Sequence, residues 1–297
     1  MKLSARQSLV ALLLAAASLT ACGGGEADTA AASGDGETPE GCEPLREEYS
    51  GLDGKTFNVG SAPGAGNYNN PNLENPKEVK GLEPDILRAA GRCLGFEVTY
   101  MPQSFDGLIP SIKSGRIDLI SSGMYATEER AQEVSFVTHL TAATAAVIAD
   151  GNPEDIESLD DTCGLQVAAV TGTVENEIQA EQNAKCEADG KPPAKAATYA
   201  GNDQAVNAVR QGRSDYFLTD AGVAAQVAEQ FDDDLDAGFA VPSEFAFGFG
   251  VDPENTELIE GLHAALMLAY EDGSLEDAQK EWGFAPEQKL EPAIVTA

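Results

Sequence analysis

The chain has 297 residues, of which 42% are hydrophobic. Its 18 lysines and arginines stand against 50 aspartates and glutamates, so its formal net charge is −32. Because phosphate binding depends on clustered Lys and Arg side chains, this balance excludes nucleic acid as a partner.

The first 21 residues have the pattern of a secretory signal peptide. Lys2 and Arg6 precede an apolar run, residues 9–17, that is too short to cross a bilayer. The segment ends in Leu-Thr-Ala-Cys, which resembles a bacterial lipoprotein signal. The resemblance implies cleavage before Cys22, lipid attachment to that cysteine and anchoring to the outer side of the cell membrane.

Residues 22–41 then form a separate segment, which begins with the lipidated cysteine. It is rich in Gly, Ala and acidic residues and has almost no bulky apolar side chain. Such a composition cannot build a core and predicts a flexible acidic linker. The residues that follow have the length of two domains.

Short apolar strands alternate with amphipathic helices in the part of the chain that follows the linker. The first series predicts strands at 56–63, 96–103 and 117–123, with helices at 84–95 and 108–115. The second series predicts strands at 165–173, 195–201 and 214–220, with helices at 175–185 and 204–212. Alternation of this kind is typical of an α/β protein with mostly parallel sheets.

The two series resemble each other. IKSGRID at 112–118 and VRQGRSD at 209–215 share the order of helix end, Gly turn, Arg and strand-opening Asp. We interpret this as two lobes, each with its own sheet. Extended apolar segments at 141–150 and 240–252 would cross between the lobes as a two-strand hinge.

The two crossing segments set the predicted domain limits. Lobe 1 comprises residues 42–141 plus 246–297, and lobe 2 comprises residues 142–245. Ligands of such sheets bind at the carboxyl ends of the strands, so the cleft between the lobes is the expected site.

The stretch SSGMYATEER contains an anomaly at its end. Thr127 predicts a helix N-cap, and a Glu three residues later would complete a capping box. Arg130 occupies that position instead. Either Arg130 turns to solvent, or an anion binds between it and the helix N-terminus.

Longer motifs resemble one known family. They are SFDGLIPSIKSGRIDLISSGMYATEERAQEVSF, VAAVTGT, FLTD and LAYEDGSLEDAQKEWG, in this order. Together they resemble the family 3 solute-binding proteins, which are extracytoplasmic receptors of polar amino acid ABC transporters. The resemblance extends over residues 51–285 and implies a two-lobed periplasmic-binding-protein-like fold.

The resemblance also implies a function. The protein would bind an amino acid or close derivative as a zwitterion, close its lobes around it and deliver it to a membrane permease. We expect a monomer without cofactor or catalytic activity.

Lobe 1 would supply the main contacts with the ligand carboxylate. In the family, the residue matching Arg130 grips this group, and the loop with Ser122, Gly123 and Tyr125 adds hydrogen-bond donors. The family usually has Ser or Thr at the position of Tyr125, so only the backbone N–H of that residue carries over.

Lobe 2 would complete the carboxylate site with Thr173 and Val174, at the start of a helix. Thr173 by itself is an ordinary N-cap. Many family members have Thr where this chain has Val174, so again only the backbone N–H carries over.

The remaining ligand contacts involve the ammonium group and the side chain. The residue matching Asp220 receives the ammonium group, whereas by itself Asp220 would simply cap the following helix. Phe105 matches an aromatic platform for the ligand side chain, or else it packs in the core. The first loop lacks the aromatic residue that family members usually have soon after the first strand, and we expect Tyr68 to take its place. Basic-ligand binders commonly carry an Asp near the position of Ala62, and its absence weakly disfavours a basic ligand.

Four cysteines remain besides Cys22. Export to an oxidising compartment predicts two disulfides. A bond between lobes would fix the cleft opening, so we expect the pairs Cys42–Cys93 and Cys163–Cys186 within the lobes. With no CxxC pair and two distant histidines, no metal site is predicted.

Two rival functions remain open. A lipoprotein that presents its ligand to a sensor would share every residue named above. An enzyme is the other rival, because cyclohexadienyl dehydratase has the same fold. Glu175 or Glu177 beside the cleft would then be the general acid.

Overall fold

The computed structural model describes residues 40–62, 64, 70–71 and 79–297, which all fall within one compact unit, Ser33–Ala297. The predicted signal peptide, the lipidation site Cys22 and Tyr68 lie outside the described residues. In the described part, no helix has both the length and the apolar character needed to span a membrane.

The first series of elements runs to the first crossing strand. Its helices are α1 Cys42–Glu48, α2 Leu82–Leu94, α3 Leu108–Lys113 and α4 Glu128–Ala131. Its strands are β1 Thr56–Ser61, β2 Asn70–Pro71, β3 Val79–Lys80, β4 Glu97–Pro102, β5 Leu119–Ile120 and β6 Ser135–Ala149.

The second series follows and then returns. Its strands are β7 Gln166–Val170, β8 Lys195–Tyr199, β9 Tyr216–Asp220, β10 Leu235–Val251 and β11 Ile294–Val295. Its helices are α5 Glu175–Ala188, α6 Asn202–Arg210, α7 Ala221–Gln230, α8 Thr256–Glu271 and α9 Ser274–Glu281. Short 3₁₀ turns lie at Ser50–Leu52, Phe105–Gly107, Leu159–Thr162 and Pro286–Gln288.

The sheet repeats one arrangement on its two sides. In the described residues its order is β4-β1-β5-β10-β6-β9-β7-β8, with β11 paired to β6. Strand β1 is parallel to β4 and β5, just as β7 is parallel to β8 and β9. The predicted α/β fold with two mostly parallel strand groups is therefore confirmed.

The two crossing strands hold the groups together. Strands β6 and β10 are antiparallel and pair from Ser135–Val251 at one end to Ala149–Leu235 at the other. Their register shifts between Pro242 and Ala246, and this irregularity lies opposite residues 141–143. The long pair makes the two parallel groups continuous.

Separate apolar clusters lie on the two sides of this pair. One large cluster packs Leu87 and Leu94 of α2 against Phe249 and Leu262. Others are built from residues 145–235, such as Val206 on α6 with Phe217 on β9. The clusters largely follow the two predicted lobes, but Val174 of predicted lobe 2 packs in the large cluster, and the exact lobe limits stay a prediction.

Local chemistry explains where α2 ends and how α1 is attached to it. Gly95 follows α2 with φ 82°, and its N–H donates to Gly91 O at 2.8 Å. A side chain on Gly95 would collide with Asp53. Cys93, on the same helix, is bonded to Cys42 of α1.

The second disulfide joins Cys163 to Cys186 on α5. Each bond lies within one predicted lobe, so the predicted pairing is confirmed.

Candidate functional site

A cavity of about 380 Å³ opens where the parallel strands of both groups end. Its walls include Ala62 after β1, residues 102–105 after β4 and part of the loop after β5. On the other side they include residues after β7, residues 200–204 after β8 and the end of β9. All are carboxyl ends of parallel strands, as the ligand position of such sheets requires.

The cavity brings together most of the site residues that the sequence predicts. Its lining includes Phe105, Ser122, Gly123, Tyr125, Thr173 and Asp220. Arg130 adjoins the cavity, because its guanidinium carbon lies 5.5 Å from the centroid of the Phe105 ring. Val174 is buried at the N-cap of α5 and packs in the large apolar cluster.

Arg130 turns inward, so the solvent-facing alternative is wrong. Its Nη1 donates to Tyr125 O at 2.9 Å, and its Nη2 donates to Gly172 O at 3.0 Å. Burial lowers the pKa of Arg130, while the nearby Glu175 carboxyl acts in the opposite direction. Gly172 has φ 81°, a conformation that glycine adopts without strain. A guanidinium of lobe 1 thus reaches a carbonyl of lobe 2.

Thr127 begins α4 as predicted, because its Oγ1 accepts from Arg130 N at 3.2 Å. The backbone N–H of Arg130 is therefore occupied by the cap, while its guanidinium extends toward the cavity. The unusual residue at this position leaves the helix cap intact.

A buried carboxylate that the sequence analysis missed supports the loop after β5. Glu83 Oε2 accepts from Ser121 Oγ at 3.1 Å and from Gly123 N at 3.0 Å. Glu83 Oε1 lies 3.1 Å from His139 Nε2, and both side chains are fully buried. The N–H of Gly123 is thus engaged by Glu83.

A pattern in the sequence could have indicated that Glu83 has a buried partner. Glu83 lies on the apolar stripe of α2, at helical spacing with Leu87, Ala90 and Leu94. A carboxylate on such a stripe needs a partner.

Ser122 and Tyr125 lie in the same loop, but their side chains make different contacts. Ser122 Oγ accepts from Ala62 N at 2.9 Å and so ties the loop to the end of β1. The Tyr125 ring packs on Phe247 at 4.8 Å and on Phe245 at 6.2 Å, between ring centroids. Burial raises the pKa of Tyr125 well above its usual value, and the charges of Glu175 and Asp220 add to this effect.

Thr173 shapes the loop before α5, but the expectation that it is the N-cap is wrong, because Val174 holds that position and no side chain caps the helix. Thr173 Oγ1 donates to Val170 O at 3.1 Å, and Asn176 Nδ2 donates to the same carbonyl at 2.6 Å. This packing fixes the turn that presents the first residue of α5 to the cavity.

That first residue is Glu175, which lines the cavity and is 3% exposed. Burial raises the pKa of Glu175 above its usual value, against the opposing effects of its own N–H, the Thr173 and Tyr125 hydroxyls and Arg130. From the sequence, Glu175 is a candidate acid of the rival enzyme and has no predicted part in ligand binding.

Asp220 has the cap position that its sequence context predicts. Its Oδ1 accepts from Gly222 N at 2.7 Å and from Val223 N at 3.3 Å. The side chain is 7% exposed and also lines the cavity. A carboxylate accepts about four hydrogen bonds, so capping α7 and binding a ligand are compatible.

Comparison with known proteins gives a consistent family. Residues 61–285 match the model of the bacterial extracellular solute-binding proteins, family 3. The arginine-binding protein ArgT of Corynebacterium glutamicum is 30% identical over 223 residues, which cover 73% of this chain and 71% of that protein.

Solved structures agree with this match. An ancestral arginine-binding protein bound to arginine superimposes with a TM-score of 0.70 at 27% identity, over 77% of this chain and 98% of that one. An ancestral amino acid-binding protein, described as a precursor of cyclohexadienyl dehydratase, superimposes with a TM-score of 0.66 at 26% identity, over 80% of this chain and 99% of that one.

Proposed function

From the premise that this chain belongs to the bacterial extracellular solute-binding proteins of family 3, we propose that it is the receptor of an amino acid ABC importer. It works outside the cytoplasm, captures an amino acid or close derivative and delivers it to a membrane permease. Attachment by a lipid on Cys22 and a monomeric state are parts of the same proposal.

One observation carries the ligand assignment. Arg130 and Asp220 lie beside one cavity and come from the two lobes, the first from α4 and the second from the end of β9. A cation and an anion on opposite walls match the two charged groups of a zwitterion. A simple carboxylic acid would bring a group for Arg130 but no cation for the side of the cavity that Asp220 lines.

Arg130 would bind the ligand carboxylate. A guanidinium has five N–H donors in a planar fork, and the two hydrogen bonds to Tyr125 O and Gly172 O use part of this set. The remaining donors suit a carboxylate, which a guanidinium can bind with two parallel hydrogen bonds.

Asp220 would bind the ligand ammonium group, and Phe105 would pack against the ligand side chain. Phe105 is partly buried and packs against apolar clusters of both lobes as well as lining the cavity. This position is compatible with both the core and the platform role that the sequence left open.

Contacts between lobes support capture by closure. Besides the hydrogen bond from Arg130 to Gly172 O, Asn202 Nδ2 donates to Gly64 O at 2.6 Å. Such contacts exist only when the two lobes are close together, so opening must break them.

The rival enzyme rests on one specific feature, the buried carboxyl of Glu175 in the cavity. General acids commonly have raised pKa values of this kind. Incubation with a cyclohexadienyl acid and detection of the dehydrated product tests this rival. Turnover that disappears in Glu175→Gln would establish it.

A thermal-shift screen of the exported protein against amino acids and small organic acids tests the receptor function. A ligand at 100 times its Kd stabilises the folded state by about 2.7 kcal/mol, which a melting curve resolves. We expect stabilisation by at least one amino acid. Stabilisation by none of them, or by organic acids without an amine alone, would contradict the proposal.

A further inference from the structure

Three buried polar groups, two of them on residues that line the cavity, have no hydrogen-bond partner of normal geometry in the described part of the chain. They are the hydroxyls of Tyr125 and Thr144 and Oε1 of Glu175. Their side chains are 3%, 1% and 3% exposed, respectively. Buried polar groups in proteins are normally hydrogen-bonded, so this cluster indicates a place for a further polar group.

The three groups belong to separate elements that meet here. Thr144 lies on β6, directly opposite Asp220 in the register of β6 and β9. The Tyr125 hydroxyl faces both the Thr144 hydroxyl and the Glu175 carboxyl, although it makes no hydrogen bond of normal geometry with either. Glu175 approaches from α5.

The charges around the cavity are unequal. Its described lining contains the carboxylates Glu175, Asp203 and Asp220 but no Lys, Arg or His. Arg130, beside the lining, is the cation that most favours the ionised form of Glu175. One nearby positive charge therefore faces more than one buried carboxyl group.

Binding of a zwitterion would worsen this imbalance. The ligand carboxylate would pair with Arg130, and the ligand ammonium group would pair with Asp220. Glu175 would then lose the compensation that Arg130 gives, while it stays buried. An ionised buried carboxyl without a counter-charge opposes binding, and a second positive charge on the ligand would compensate it.

We propose that Glu175, with the Tyr125 and Thr144 hydroxyls, binds a cationic side-chain group of the ligand. The substrate is then an amino acid with a net charge of +1. This inference rests on the proposed amino acid receptor function and adds a specificity-determining residue to it. Glu175 of lobe 2 would then supply the carboxylate that basic-ligand binders commonly carry near the position of Ala62.

Pairs of ligands that differ in one charge test this directly. Citrulline has the shape of arginine with a neutral urea group, and norleucine replaces the lysine ammonium group by a methyl. By calorimetry on the exported protein, we expect arginine or lysine to bind at least about tenfold tighter than its neutral counterpart, the lower end for a buried ion pair.

The isosteric variant Glu175→Gln identifies the residue responsible. It should weaken binding of the cationic ligand by at least about tenfold, whereas binding of the neutral ligand should not weaken, because only the charge is removed. Glu181→Gln is the matched control, since Glu181 lies on the same helix with an exposed side chain. This control should leave both affinities unchanged. Circular dichroism and melting curves check that each variant folds.

Glu175→Asp provides a second test that keeps the charge. It should retain the preference for the cationic member of each pair, even where the shorter side chain weakens both affinities.

Two results would overturn the inference. Equal binding of arginine and citrulline, and of lysine and norleucine, would show that the cavity does not recognise the positive charge of the ligand side chain. Tighter binding of all amino acids by Glu175→Gln would show that Glu175 competes with the ligand for Arg130 instead. In both cases the receptor function would stand, whereas binding of no amino acid at all would remove the function together with the inference.

Discussion

At the scale of single residues, several groups serve the fold and the cavity together. Asp220 caps α7 and lines the cavity, and Arg130 bonds to Tyr125 O and Gly172 O beside it. The buried Glu83 carboxylate accepts hydrogen bonds from Ser121 and Gly123 and so supports the loop after β5. Because the contacts of Asp220 with α7 and of Arg130 with Tyr125 O each lie within one lobe, they can hold these side chains before the lobes close, which lowers the ordering cost of binding.

The carboxylate and ammonium contacts can be separated by substitution. Arg130→Met and Asp220→Asn should each weaken amino acid binding by about 2–5 kcal/mol, as expected when one partner of a desolvated charge pair is lost. Asn caps a helix almost as well as Asp, so Asp220→Asn should keep its fold. Calorimetry measures the affinities, and Arg213→Met, at an exposed arginine, is the control.

A folded Arg130→Met protein with wild-type affinity would contradict the carboxylate role. A loss of affinity confined to Arg130→Met would move the substrate from amino acid to organic acid.

Glu175 should also make stability depend on pH. Burial raises its pKa in the folded state above the ordinary value of 4.5, so the folded protein holds this proton more tightly than the unfolded chain. Its contribution is therefore full below pH 4.5 and is lost as the pH rises through the raised pKa. Among its charged and titratable neighbours, Arg130 stays charged and Tyr125 stays protonated across this window.

Ligand-free melting temperatures across this window give the measurement. The melting temperature of the wild-type protein should fall relative to that of Glu175→Gln as the pH rises above 4.5 and through the raised pKa. Parallel curves for the two proteins would mean that Glu175 has no raised pKa.

At the scale of elements, each disulfide ties a helix to a neighbour within its own lobe. The Cys42–Cys93 bond joins α1 to α2 and closes a separation of 51 residues, while Cys163–Cys186 fastens α5 over 23 residues. Neither bond crosses the cavity, so neither limits the distance between the lobes.

Loss of either disulfide should therefore weaken the fold rather than the ligand contacts. Replacing each pair by Ala should lower the free energy of unfolding by about 2–4 kcal/mol, because the unfolded chain gains entropy when the loop is opened. Urea denaturation measures this, and non-reducing peptide mapping of the wild-type protein checks the pairing. A mapped peptide that links the two pairs would contradict the lobe limits.

At the scale of the whole molecule, we expect the lobes to move relative to each other by bending of the crossing strands β6 and β10. Their pairing is irregular near residues 141–143 and 242–246, within the segments 141–150 and 240–252 that are predicted to form the hinge. Irregular pairing concentrates bending at a few residues while the parallel strands on either side stay rigid.

Ligand binding should close this hinge, because the groups of both lobes reach one small molecule only in the closed form. Small-angle scattering should give a smaller radius of gyration with saturating ligand. Arg130→Met at the same ligand concentration is the control and should stay open. Identical scattering curves with and without ligand would contradict closure.

The sequence by itself determined the alternation of strands and helices, the duplicated series and the family, because each depends on local periodicity or on motifs of neighbouring residues. The disulfide pairs followed from the lobe assignment, since a bond between lobes would fix the cleft opening. The sequence also predicted the caps at Thr127 and Asp220, which involve residues only two or three positions apart. Only the tertiary structure decided which distant groups meet. Glu83 joins His139 across 56 positions, and Arg130 reaches Gly172 across 42. Glu175 enters the cavity because α5 starts where β7 ends beside β9, and no local pattern encodes such long-range packing.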